Sequence, residues 1–120
     1  MLFRILVVDD EPDLRYILRR IYERAGHEVT DAGNGADAYE AVLRSSPDLV
    51  VTDMMMPVMG GAQLIRLLRA DPNTADIPIL AVTCDAHLAV GADMVLAKPW
   101  TSQHLLTATD TLMAQKARQR

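Results

Sequence analysis

The chain has 120 residues, half of them apolar and 23% charged, with a formal net charge of −4. That length suits one domain built on one core, and the acidic balance argues against direct nucleic-acid binding through a basic surface. Cys84 is the only cysteine and no apolar run approaches the roughly 20 residues of a membrane helix, so with no signal-peptide pattern the expectation is a cytoplasmic protein without disulfides or membrane attachment.

An apolar strand is expected over 4–8, running directly into Asp9, Asp10, Glu11 and Pro12. Proline is favoured at the first helical position, and acidic residues there suit the positive end of the helix dipole. Leu14, Ile17, Leu18 and Ile21 then recur at the spacing of one helix face, with Arg15, Arg19, Arg20 and Arg24 off that stripe and Gly26 as the stop. A polar, alternating strand over 28–32 suits the edge of a sheet. Gly33, Asn34 and Gly35 turn the chain into a helix over 36–44, with Ala38, Ala41 and Val42 inward, and Ser45, Ser46 and Pro47 break it.

The most apolar strand spans 48–52 and delivers Asp53, after which three methionines and Pro57 end the strand. No polar face interrupts it, as expected of a parallel strand buried on both sides. Gly60 and Gly61 open a helix over 62–70, with Leu64, Leu67 and Leu68 as its core face and Ile65 beside them. Asp71, Pro72 and Asn73 are turn residues. Another apolar run over 77–82 ends in Thr83, and a strand over 94–97 ends in Lys98 and Pro99. Thr101 caps a last helix carrying Leu105, Leu106, Leu112 and Met113, followed by a polar tail over 115–120. Ten residues, 84–93, separate Thr83 from the last strand, whereas a crossover with its helix needs at least about 10–12. The fourth helix is therefore expected to be very short, one turn near 86–90, or absent.

Five strands alternating with helices predict a parallel sheet covered on both faces, in a single domain over 1–120. In open α/β sheets, ligands bind beyond the carboxyl ends of the strands. Those ends deliver Asp9 and Asp10, then Asp53, Thr83 and Lys98. Taken singly, each has an ordinary reading: helix-start acids, a turn-forming aspartate, a solvated lysine. Together, three close carboxylates repel unless a cation offsets them. Mg²⁺ suits such a set, since it prefers one or two carboxylates, waters and a phosphate oxygen. A carboxylate can also act as a nucleophile and form an aspartyl-phosphate, with lysine and hydroxyl donors holding the phosphoryl oxygens.

Val7–Val8–Asp9–Asp10–Glu11–Pro12, Val51–Thr52–Asp53–Met54–Met55–Met56–Pro57, Thr83, Gly91–Ala92–Asp93 and Lys98–Pro99 together resemble the receiver domains of two-component response regulators, in the right order and over nearly the whole chain. The resemblance implies a flavodoxin-like doubly wound sheet of strand order 2-1-3-4-5. It implies that Asp53 accepts a phosphoryl group from a histidine kinase or phosphotransfer protein, with Mg²⁺ as cofactor. Asp10 and Asp53 would bind the metal through carboxylates, Met55 through its backbone carbonyl and Asp9 through water. Lys98 would contact the phosphoryl group, Thr83 would swing towards it after transfer, and the Lys98–Pro99 bond would be cis. Such a protein catalyses its own phosphorylation and dephosphorylation but turns over no separate substrate. The downstream target stays unspecified, and homodimerisation stays open.

Three positions depart from the family pattern. Val95 occupies the place of a switch aromatic, Cys84 replaces a usually small residue after Thr83, and the fourth helix has lost about two turns. All three fall on the surface that usually reports phosphorylation, which implies weaker or differently routed activation. A pseudo-receiver that binds partners without phosphorylation is the alternative, and a small Mg²⁺-dependent phosphatase with an aspartyl nucleophile ranks below both. Met54, Met55, Met56 and Met59 are read as flexible packing under a loop rather than soft-metal ligands. Cys84 is read as a small buried hydrophobe. The first-helix arginines are a solvated face or, as in the family, a kinase-docking face.

Overall fold

The computed structural model describes residues 2–119; Arg120, the end of the expected polar tail, lies outside the described residues. The elements are β1 (Arg4–Val8), α1 (Pro12–Arg24), β2 (Glu28–Ala32), α2 (Gly35–Ser45), β3 (Leu49–Asp53), α3 (Gly61–Ala70), β4 (Ile79–Thr83), β5 (Met94–Ala97) and α4 (Ser102–Arg118). The five strands form one parallel sheet in the order β2-β1-β3-β4-β5. This is the doubly wound, flavodoxin-like arrangement, with four α-helices among the described residues.

Strand burial follows position in the sheet. The inner strands β3 and β4 are buried along nearly their whole length, because helices cover both faces. β2 and β5 lie at the edges and are more exposed, β5 alternating half-buried and exposed residues and β2 burying only Val29 and Ala32. Successive side chains of a strand point to opposite faces, so the core divides in two. Leu6, Val8, Val50, Ile79 and Ala81 pack under α2 and α3 with Val42, Leu64, Ile65 and Leu68. Ile5, Val7, Val51, Leu80 and Val82 pack under α1 and α4 with Leu18, Tyr22, Leu105 and Leu112.

Several boundaries and faces differ from the sequence reading. β3 runs one residue further, so Asp53 is its last residue and pairs with Val82. β4 starts at Ile79, after Pro78, which has no N–H to give to a ladder. On α3, Ile65 is buried and Leu67 only half-buried. On α1, Ile17 is 49% exposed, while Tyr22 takes a core place and its hydroxyl lies 2.7 Å from Thr109 Oγ1. Cys84 is exposed, not buried, because β4 leaves the core at Thr83. α4 continues through most of the segment expected to be a polar tail.

Between β4 and β5 there is only a short 3₁₀ turn, Ala86–Leu88, capped by Asp85, whose carboxylate accepts the His87 N–H at 2.9 Å. Ten residues cannot hold a packed helix and both of its connections. The connection is clamped instead by Arg69, which donates to the carbonyls of Gly91, Ala75 and Ile77 and to Asp93. Asp93 also pairs with Lys116 of α4 and accepts the Ile79 N–H. Burial alone would raise the Asp93 pKa, but the hydrogen bonds from Lys116, Ile79 and Arg69 outweigh it and hold this carboxyl below its ordinary value.

Candidate functional site

A parallel sheet brings all its carboxyl ends to one rim. Asp9 follows the last residue of β1, Asp53 and Thr83 end β3 and β4, and Lys98 follows β5. Asp9, Asp10 and Asp53 each place a carboxylate oxygen within 4.8 Å of the other two.

Asp9 is buried, and its Oδ1 accepts the Glu11 N–H at 2.9 Å. Burial raises its pKa; the Glu11 bond opposes that shift and the neighbouring charge of Asp53 adds to it. Asp53 is anchored at both oxygens: Oδ1 accepts the Met54 N–H at 2.7 Å and, at 3.4 Å, that of Met55, while Oδ2 lies 3.2 Å from Lys98 Nζ. Among the described residues, no side chain or backbone N–H donates to the Asp10 carboxylate, and the Met55 carbonyl accepts no hydrogen bond.

The loop after β3 is shaped by close approaches. A Cβ on Gly61 would lie 2.5 Å from the Asp53 carbonyl oxygen, and one on Gly35 would lie 2.7 Å from that of Met59. Gly35 donates its N–H to the same Met59 carbonyl at 2.9 Å, tying the loop to the start of α2. Met54 is buried, and Met56 and Met59 pack half-buried against the α2–α3 core, as expected of thioether packing. Met55 is 70% exposed instead.

Thr83 is buried at the rim, and its hydroxyl is engaged with Asp85, donating to the carbonyl at 3.3 Å and accepting the N–H at 3.1 Å. The Lys98–Pro99 peptide is cis. Val95, at the position of the family's aromatic, points to the surface at 38% exposure. Trp100 packs against the α1–α4 core.

One rim contact was not legible from the sequence. Arg15 is half-buried rather than part of a solvated face, and its Nη1 donates to the Asp9 carbonyl at 2.8 Å. The helical stripe put Arg15 off the apolar face but gave no sign of what that side faces.

The donor set is chemically coherent. Three clustered carboxylates with an adjacent ammonium fit a hard divalent cation beside a phosphoryl group. They do not fit a soft metal, since among the described residues no imidazole or thiolate joins the cluster.

Residues 5–110 match the response regulator receiver domain family. The chain is 36% identical over 109 residues to the phosphate regulon transcriptional regulatory protein PhoB of Pseudomonas aeruginosa, covering 85% of this chain and 48% of that protein. It is 35% identical over 118 residues to protein PilH of the same organism, covering 92% and 98%. The chain thus spans about half the length of PhoB and nearly all of PilH. Among solved structures, the receiver domain of sensor histidine kinase PA1611 from Pseudomonas aeruginosa superimposes with a TM-score of 0.88 at 26% identity, covering 95% and 99% of the two chains; that structure has a magnesium ion in its active-site cleft. Chemotaxis protein CheY4 of Vibrio cholerae gives a TM-score of 0.86 at 28% identity over 93% and 99%. With the acids, threonine and lysine in register at the strand ends and the sheet wound in this order, the chain belongs to the response regulator receiver domains of two-component signalling.

Proposed function

We propose that this chain is a phosphorylation-controlled switch in which Asp53 takes a phosphoryl group from a phosphohistidine on a histidine kinase or phosphotransfer protein. A carboxylate oxygen of Asp53 attacks phosphorus, the phosphorus–nitrogen bond breaks, and the imidazole leaves with the electron pair and takes up a proton. The observation that carries this reading is the Lys98 ammonium, 3.2 Å from Asp53 Oδ2, beside two further carboxylates.

Asp10 and Asp53, with the Met55 carbonyl, would hold Mg²⁺, and Asp9 would act through water. The ion supplies charge compensation for the carboxylates and the incoming phosphoryl oxygens. Lys98 orients the phosphoryl group and offsets its charge. Thr83 exchanges its Asp85 partners for a phosphoryl oxygen, which draws the β4 end towards Asp53. Hydrolysis of the aspartyl-phosphate resets the switch, and no further substrate is turned over. The magnesium in the PA1611 receiver cleft supports the choice of metal.

Without a ring at Val95, movement at Thr83 has no aromatic to displace. A phosphoryl group shifts an equilibrium only by the difference in its contacts with the two states. Activation therefore passes through the backbone of the Thr83–Asp85 segment and the rebuilt β4–β5 connection. That rebuilt surface is also what favours the second reading, a partner-binding module independent of phosphorylation. The test is beryllofluoride, a phosphoryl mimic, added with Mg²⁺ while backbone amide shifts are followed. The proposal expects Mg²⁺-dependent shifts at Met54, Met55, Thr83, Asp85 and Lys98, with little spread along β5. Shifts absent from these residues would overturn it.

A further inference from the structure

We infer that Arg15 is a positioning residue for the acidic site, acting through the main chain of Asp9 rather than through charge on a ligand. The inference rests on the Mg²⁺ reading above and adds a residue that neither the motif nor the metal-ligand set contains.

Arg15 lies one turn into α1, and its N–H bonds the Glu11 carbonyl at 2.9 Å. Its side chain turns back to the rim. Nη1 donates to the Asp9 carbonyl at 2.8 Å, and Nε lies 3.7 Å from Asp31 Oδ1. Asp31 sits on β2 opposite Val7, and its other oxygen accepts from Arg19 Nη1 at 2.9 Å. The guanidinium thus bridges the edge strand and the turn that carries Asp9 and Asp10. There is little slack around it: a Cβ on Gly33 would lie 3.2 Å from Nη1.

That turn has few other restraints. The Asp9 N–H donates to the Ala32 carbonyl at 3.2 Å, and the Asp9 carboxylate accepts from Glu11. Rotation of the Asp9–Asp10 peptide would carry its carbonyl away from Arg15 and swing the Asp10 side chain out of the cluster. A planar, forked donor suits this task, because it can hold one carbonyl while a second face meets a carboxylate. Outer partners that orient ligands commonly matter about 10- to 100-fold in metal affinity.

The experiment compares wild type with Arg15→Ala, Arg15→Lys, Asp31→Ala and the double variant Arg15→Ala/Asp31→Ala. Mg²⁺ dissociation constants are measured by calorimetry, thermal midpoints are recorded, and the Glu11 amide shift is read without metal. The expected result is about tenfold weaker Mg²⁺ binding in Arg15→Ala, partial recovery in Arg15→Lys, a smaller loss in Asp31→Ala, and a double variant no worse than Arg15→Ala. The Glu11 amide should move in the metal-free Arg15→Ala protein. A folded Arg15→Ala protein with wild-type Mg²⁺ affinity and an unmoved Glu11 amide would overturn this inference alone. A wild-type chain that does not bind Mg²⁺ would overturn the site reading with it. If Arg15→Ala does not fold, equal Mg²⁺ affinity in Arg15→Lys, Asp31→Ala and wild type would overturn the bridge.

Discussion

Lys98 Nζ lies 3.2 Å from Asp53 Oδ2 although their strands, β5 and β3, are separated by β4. The lysine side chain reaches across the end of β4 to a carboxylate that already holds the Met54 N–H on its other oxygen. Lys98→Ala should remove the donor aimed at the phosphoryl position and slow phosphorylation by small phosphodonors by about 10²-fold, the loss typical of a preorganised donor. Mg²⁺ binding should survive, since the carboxylates remain and a competing cation is gone. Parallel phosphorylation kinetics and Mg²⁺ titration check both halves.

Asp9 gives a prediction with a defined sign. Its folded pKa is raised above the ordinary 3.8, first by burial, so the folded state holds this proton to higher pH than the unfolded chain does. In metal-free solution, stability contributed by this group falls as pH rises through the interval above 3.8 and stays low at neutrality. Asp9→Asn keeps an acceptor for Glu11 and removes the buried charge. It should raise the metal-free thermal midpoint at pH 7 by about 4 °C, the shift that roughly 1 kcal/mol produces in a domain of this size. Added Mg²⁺ should then stabilise the variant less than wild type. Thermal scans with and without Mg²⁺ at pH 5 and pH 7 read the effect.

Asp93 has the opposite sign. Its carboxyl is held below 3.8, with the bonds from Lys116, Ile79 and Arg69 overcoming burial. Its contribution is fully present above 3.8 and is lost as pH falls below that value through the depressed one. Asp93→Ala leaves Arg69, Lys116 and the Ile79 N–H without this partner and should cost about 2–3 kcal/mol at pH 7. The loss should shrink in acid. Urea unfolding at pH 7 and pH 3 measures it.

Most of the fold follows from patterns that a sequence exposes directly. The buried runs before Asp9, Asp53 and Thr83, and the acid or hydroxyl that ends each, carry the parallel sheet and the rim chemistry, while the strand order followed from the resemblance to the receiver family. What escaped are features that depend on long-range partners. Tyr22 is core only because Thr109, 87 residues away, meets its hydroxyl. Arg69 resembles any helix-end arginine until α3 is placed beside the 91–93 turn. Arg15 and Cys84 were misplaced because helical periodicity and residue type give average burial, not what a particular turn leaves open.

Val58 stands at φ 68°, a conformation that is strained for a β-branched residue, and is 84% exposed. Val58→Gly relieves that strain and sacrifices almost no packing. It should stabilise the chain by about 1 kcal/mol, seen as a higher urea midpoint at unchanged slope.

The most direct test is the intact mass of the protein after incubation with acetyl phosphate. With Mg²⁺, wild type should gain one phosphoryl group, and the gain should vanish in Asp53→Asn and without the metal. No gain in wild type, or an equal gain in Asp53→Asn, would contradict the assignment of Asp53 as the acceptor.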